Sequence, residues 1–154
     1  MQYKPKFYKI VSGTGKGKYP LSAFDNALRD AGIGDYNLVK VSSILPSECM
    51  QCEIIPTGKG HILYAAYATA TVGYGETAEI AVAVAVPKEN EESGVIFETT
   101  SFDLESSASN IVEEMCVQAM HNRQKNIETV LKSYKRIVGE IDLFTSAISA
   151  VVMW

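Results

Sequence analysis

The sequence predicts an α+β sandwich in which helices cover β-sheets, and three observations carry that expectation. About seven segments read as strands and two as helices. One helix comes early and one late, so neither forms a βαβ alternation with the strands. The segment AEIAVAVAVP (78–87) alternates alanine with Ile or Val, the period of a strand, and is apolar throughout, as expected of a strand covered on both faces.

In chain order, KFYKIVS (6–12) reads as a first strand and GTGKGK (13–18) as a flexible basic loop. Pro20 suits the first turn of a helix, where its missing N–H would have no partner anyway. Leu21, Phe24, Leu28 and Ala31 give that helix an apolar face, and Gly32 and Gly34 suit its end. Residues 36–44 read as a second strand, interrupted by Pro46. CEIIP (52–56) and HILYAAYATATV (61–72) read as strands, GYGET as a turn, KENEESG (88–94) as a solvated acidic turn, and GVIFETTSF (94–102) as another strand. The second helix spans about 106–124, where Ala108, Ile111, Val112, Met115, Cys116, Ala119 and Met120 recur at three and four residues. Ser106 or Ser107 suits its cap. ETVLKSYKRIV (128–138) and DLFTSAISAVVMW (142–154) close the chain as strands.

The composition excludes several function classes. The chain has 154 residues, a formal charge of −4, 47% hydrophobic and 21% charged residues, so one domain with a full core is expected and disorder is not. A pI near 5.2 without a basic cluster argues against nucleic acid as a partner. The longest apolar runs are too short to span a bilayer, and MQYKPKFYKI lacks the apolar core of a signal peptide; a cytoplasmic protein is expected. Three cysteines give no disulfide framework.

The obvious motifs fail. GTGKGK lacks the P-loop spacing, and Tyr19 follows Lys18 where Ser or Thr is needed. Cys49 and Cys52 form a C-x-x-C, but the partners for a zinc site (Cys116, His61, His121) are scattered, and a strand rather than a helix follows. Two thiols packed beside a turn is the better reading, and no metal is expected. Neither histidine has a recognisable triad partner.

A Ser42-Ser43 pair reads as lying inside an apolar strand, with Asn37 upstream, Gly32 and Gly34 shaping the entry, and Asp25 on the preceding helix. The blocks PLSAFDNAL, AGIGDYNL, VSSILP, the GET turn with AVAVAVPK, and GVIFE together resemble the pyruvoyl-dependent arginine decarboxylase family over nearly the whole chain. The first three are specific in combination. The C-x-x-C after Pro46 matches no motif of that family.

The resemblance implies an αββα sandwich of mainly antiparallel sheets. It implies self-cleavage of the single domain into 1–42 and 43–154, with Ser43 Oγ attacking the Ser42 carbonyl. Ser43 would become a covalent pyruvoyl group, the only cofactor, whose ketone binds the substrate amine and withdraws electrons as CO₂ leaves. No lysine here has a recognisable pyridoxal-phosphate context. Asn37 matches the donor that stabilises the oxyanion, and Glu98 the acid that reprotonates the α-carbon, a role that needs a pKa raised by burial among Val95, Ile96 and Phe97. Asp25 matches the carboxylate that grips a guanidinium; Leu21, Gly34 and Tyr36 match positions lining that end, and the new carboxylate of Ser42 helps hold the substrate. The expected reaction is arginine to agmatine, in a homotrimer with sites between neighbours, and the apolar AISAVVMW strand suits such an interface. The rival readings are a pyruvoyl decarboxylase for another amino acid, such as histidine, and an uncleaved structural or regulatory homologue.

Overall fold

The computed structural model describes residues 2–103 and 105–154; Met1 and Leu104 lie outside the described residues. The elements run β1 (Phe7–Gly17), α1 (Pro20–Asp30), β2 (Asn37–Lys40), β3 (Ile44–Leu45), β4 (Met50–Gln51), β5 (Ile62–Val72), β6 (Thr77–Pro87), β7 (Gly94–Ser101), α2 (Ala108–Asn122), β8 (Ile127–Val138) and β9 (Phe144–Met153). One sheet has the order β2-β5-β9-β1-β4, the other β3-β7-β6-β8. The pairings are antiparallel except β1 with β4 and β2 with β5.

Four layers result, α1 on one sheet and α2 on the other, which is the expected αββα sandwich. The alternation in β6 sorts the layers. Ala81, Ala83 and Ala85 face α2, packing with Val112, Cys116 and Met120, and their small side chains let the helix lie close. Val82 and Val84 face the other sheet and pack with Ala66, Val151 and Met153. Both faces are covered, and every residue from Ala78 to Ala85 is buried.

Several expectations need correction. GTGKGK is not a loop: β1 continues to Gly17, paired with β9 throughout. Alternate glycines on one face of this strand leave a lane into which α1 sinks, and a Cβ at Gly15 would stand 2.3 Å from the Ala27 nitrogen. The segment 52–56 forms no strand; the short β4 precedes it. Strand β9, expected at an interface between copies, lies between β5 and β1 and is buried within its own chain. Its apolar character is that of a central strand. Ser107 stands at the N-cap of α2 without a side-chain cap bond. Glu79 of β6 serves instead, accepting a bond of 2.8 Å from the Ala108 N–H.

No helix among the described residues is long and apolar enough to cross a membrane.

Candidate active site

The chain changes sheets at the serine pair. Val41 is still tied to the first sheet, its N–H donating to the Ala65 carbonyl at 3.0 Å, whereas the Ser43 carbonyl accepts from the Ile96 N–H of the second sheet at 2.7 Å. The Ser42–Ser43 peptide therefore crosses the gap between sheets, with Ser42 exposed and Ser43 half-buried. The expected strand over 36–44 is broken here: β2 stops at Lys40, and Ile44 pairs with Val95 of β7.

Where β2 leaves, β5 runs on with two edge carbonyls to satisfy. The Lys40 ammonium donates to the Tyr67 carbonyl at 3.3 Å, and the Thr100 hydroxyl of β7 donates to the Thr69 carbonyl at 3.3 Å. Lys40 Nζ also sits 4.6 Å from the centroid of the Tyr67 ring. Side chains from both flanking segments thus replace the missing strand and bring Glu98 to the same edge.

Glu98 follows Ile96 by two residues in β7, so both project from the same face, the one turned toward the other sheet. That spacing sets Glu98 about 7 Å along the strand from the residue whose N–H holds Ser43. Burial pushes the Glu98 carboxyl up from its ordinary value; the Lys40 ammonium and a backbone hydrogen bond pull it partly back. Such a carboxyl keeps its proton to higher pH than an exposed one. The sequence placed the burial among Val95, Ile96 and Phe97. Of these, Ile96 shares the face of Glu98, while Val95 and Phe97 pack toward α2.

The remaining candidates lie elsewhere. Asn37 opens β2, and its Nδ2 donates to the Gly60 carbonyl at 2.8 Å. This bond clamps the turn before β5, while the amide's second N–H remains a further donor. Leu21 is 78% exposed and lines a groove of about 390 Å³ between α1 and β5 with Phe24, Tyr67 and Thr69. Asp25 is exposed one helical turn further along α1. Gly34 and Tyr36 line a separate cavity of about 300 Å³ with Arg29 and Asp35, and the Tyr36 hydroxyl donates to the Pro56 carbonyl. Within one chain, then, the crossing gathers Ser42, Ser43 and Glu98. Leu21, Asp25, Gly34 and Tyr36 spread over the α1 side.

Two residues that bear on this site went unread in the sequence. Lys40 looked like one polar residue of an alternating strand, and Tyr67 like part of a small-residue strand. Their signal was the lysine two residues before the serine pair, in a strand otherwise apolar from Leu38 to Val41. The cysteines carry no comparable feature. Burial pushes the Cys49 and Cys116 thiols up to about 11, which leaves them poor nucleophiles. Among the described residues, no three His, Cys, Asp or Glu side chains converge as metal ligands do.

Comparison with known proteins bears on the whole chain. The family model described as pyruvoyl-dependent arginine decarboxylase matches residues 7–154. A protein of that name from Methanococcus vannielii is 33% identical over 161 residues, covering 97% of this chain and 91% of the relative. One from Methanopyrus kandleri is 35% identical, with 97% of each chain covered. One from Methanocaldococcus jannaschii is 38% identical over 120 residues, covering 72% of this chain and 68% of the relative. With a match that spans both sheets, both helices and the serine crossing, this chain belongs to the pyruvoyl-dependent arginine decarboxylase family, a family of decarboxylating lyases.

Proposed function

We propose that the chain decarboxylates L-arginine to agmatine and CO₂, after cleaving itself between Ser42 and Ser43. The observation that carries this reading is the crossing itself. A Ser-Ser peptide is held at one end by the first sheet and at the other by the second, beside a desolvated carboxyl.

Maturation uses the protein's own groups. Ser43 Oγ attacks the Ser42 carbonyl carbon, the Ser42–Ser43 C–N bond breaks, and an ester replaces the amide. Asn37, which within one chain opens β2 away from the crossing, serves from a neighbouring copy as donor to the oxyanion formed during this attack, through the amide N–H that Gly60 does not use. Loss of the Cα proton of residue 43 then breaks its Cβ–O bond and frees residues 1–42 with a carboxylate at Ser42. The dehydroalanine left at position 43 takes up water and releases ammonia, which leaves the pyruvoyl group at the head of residues 43–154.

The residues around position 43 fit such a group. The site is half-buried, and the carbonyl that would flank the ketone is already tethered by the Ile96 N–H. When formed, the pyruvoyl group supplies the electron sink that loss of CO₂ requires. Glu98 holds the proton that the substrate α-carbon receives, and its burial lets it keep that proton to higher pH than an exposed carboxyl would. The planar guanidinium is gripped by the Asp25 carboxylate in two parallel bonds, a geometry that favours arginine over lysine. Leu21, Gly34 and Tyr36 line that end of the site, and the Ser42 carboxylate helps orient the substrate. Because Asp25, Gly34 and Tyr36 stand apart from the crossing within one chain, a neighbouring copy supplies them, in a homotrimer with sites between subunits.

Intact-mass analysis of the purified protein tests the reading. The wild type is expected as two fragments, 1–42 and 43–154, and Ser43→Ala as one chain without decarboxylase activity, because alanine has no Oγ. Cleavage of Ser43→Ala at the same bond would refute the mechanism.

A further inference from the structure

We infer that Lys40 is a positioning residue that sets the protonation of Glu98: its ammonium is anchored on the open edge of β5, the edge to which β7 brings that carboxyl. The inference rests on the reading of Glu98 as proton donor only for its consequence in catalysis; the coupling of the two side chains stands on their placement.

Three features place the ammonium. Strand β2 ends at Lys40 itself, so the side chain runs on along the edge that the backbone has just left. The Tyr67 carbonyl, which a continuing strand would have bonded through its backbone N–H, takes the Lys40 ammonium instead. The Tyr67 ring holds the same ammonium from its face. The next carbonyl along the edge, that of Thr69, is taken by Thr100, which lies two residues beyond Glu98 on the same face of β7. Lys40 and Glu98 are therefore brought to the same stretch of the β5 edge, one from each sheet.

Among the described residues, no other element that packs around Glu98 turns a charge toward it; Lys135 of β8 shares the inward face but stands opposite Ile80, two strands from β7. On β6 its partner is Val82, and Glu79, three residues along, is engaged with the start of α2. On β5 the nearby titratable side chain is Tyr67, already stacked on Lys40. Helix α2 covers the opposite face of the sheet, and its Glu113 is paired with Lys132 of β8. Lys40 also makes no contact ion pair with Glu98 within the described residues. The separation matters. A carboxylate in direct contact with an ammonium is held ionised and makes a poor proton donor, whereas a fully buried carboxyl with no cation nearby gives up its proton reluctantly. A cation tethered to the backbone of β5 lies between these limits.

The test compares Lys40→Met, which keeps the aliphatic stem and removes the charge, with Lys40→Arg, which keeps the charge. The direct readout is NMR titration of the Glu98 carboxyl in protein carrying ¹³C-labelled glutamate, with Glu98→Gln assigning the resonance. Performed in the Ser43→Ala background, it requires neither cleavage nor activity. Lys40→Met is expected to move the Glu98 midpoint to higher pH, and Lys40→Arg to leave it near the wild-type position. In the active enzyme the alkaline limb of kcat should move upward with Lys40→Met and return with Lys40→Arg. A Glu98 midpoint unmoved by Lys40→Met would overturn the inference, and so would Lys40→Arg behaving like Lys40→Met, since the role would then be edge capping rather than charge. A midpoint that moves while the kcat limb stays fixed would uphold the coupling and count instead against Glu98 as the donor.

Discussion

The two halves of the candidate site differ in how far one chain completes them. At the crossing, the two sheets supply the backbone clamps on Val41 and Ser43, and the side chains of Lys40 and Thr100 cap the edge of β5 beside them. On the α1 side, Leu21 projects into solvent, Asp25 is exposed, and Gly34 and Tyr36 face a different cavity. The crossing is thus built by tertiary packing, in which an apolar layer sets each polar group. The α1 side is an exposed helix surface. A site that handles a buried bond-making step needs the first kind of construction. Recognition of a long, charged side chain can be delegated to a surface that a second copy closes.

The largest expected effect lies on the crossing side. Glu98→Gln keeps the size and hydrogen-bonding capacity of the side chain but has no acidic proton to give. The variant should cleave normally and bind arginine, yet decarboxylate it about 10²–10⁴-fold more slowly. Single-turnover assays on the cleaved protein measure this. Near-normal turnover would reduce Glu98 to a strand residue, and failure to cleave would make it part of the maturation machinery.

Asp25→Asn probes the other half and should be milder. Losing a charged partner for the guanidinium costs about 10–100-fold in KM for arginine, with kcat and cleavage little changed. The comparison becomes sharper when two defective chains are combined. If each site draws Glu98 from one copy and Asp25 from another, co-expressed Glu98→Gln and Asp25→Asn chains should form mixed assemblies in which some sites carry both native residues. Activity above that of either variant alone is expected. Mixed assemblies no better than the sum of the two parents would place both residues in one chain's site.

The same contrast governs what the sequence disclosed. The sandwich was legible because its signals are local: the Ala/Val alternation of β6 reports two covered faces, and the spacing of Val112, Cys116 and Met120 reports one face of α2. Misreadings fell where a distant segment decides. GTGKGK has the composition of a loop, and only the backbone of α1 lying against Gly13 and Gly15 explains those glycines as strand positions. Ser107 has the chemistry of a cap, but Glu79, 29 residues away, takes the Ala108 N–H. The serine pair looked like strand interior because nothing local marks a change of sheet. Resemblance singled out Ser43, Asn37, Glu98 and Asp25, whereas Lys40 emerged only when β7 and the β5 edge were brought together. Asp25 makes no ion pair among the described residues, so neither the sequence nor its own chain's packing singles it out.

The smallest expected effect comes from the desolvation of Glu98 and appears in stability rather than rate. Its carboxyl is raised in the folded protein by burial, with Lys40 opposing. Folding therefore favours the protonated form, and the sign follows. Below the unfolded-state value, about pH 4.3, the group is protonated in both states and costs nothing. As pH rises through the raised folded value, the unfolded chain ionises more readily than the folded one, and stability is lost. Glutamine never ionises, so Glu98→Gln escapes this loss. Thermal unfolding in the Ser43→Ala background, where each variant melts as one chain, should show the Tm of Glu98→Gln gaining on its parent as pH rises from about 4 through the raised folded value and then levelling. The half-exposed setting and the Lys40 ammonium keep the gain small, and adding Lys40→Met to both proteins should enlarge it, because the carboxylate then has no cation to offset its burial. A Tm difference that stays constant across this range would mean that the carboxyl is solvated in the folded protein, and the crossing would lose the feature that separates it from the α1 side.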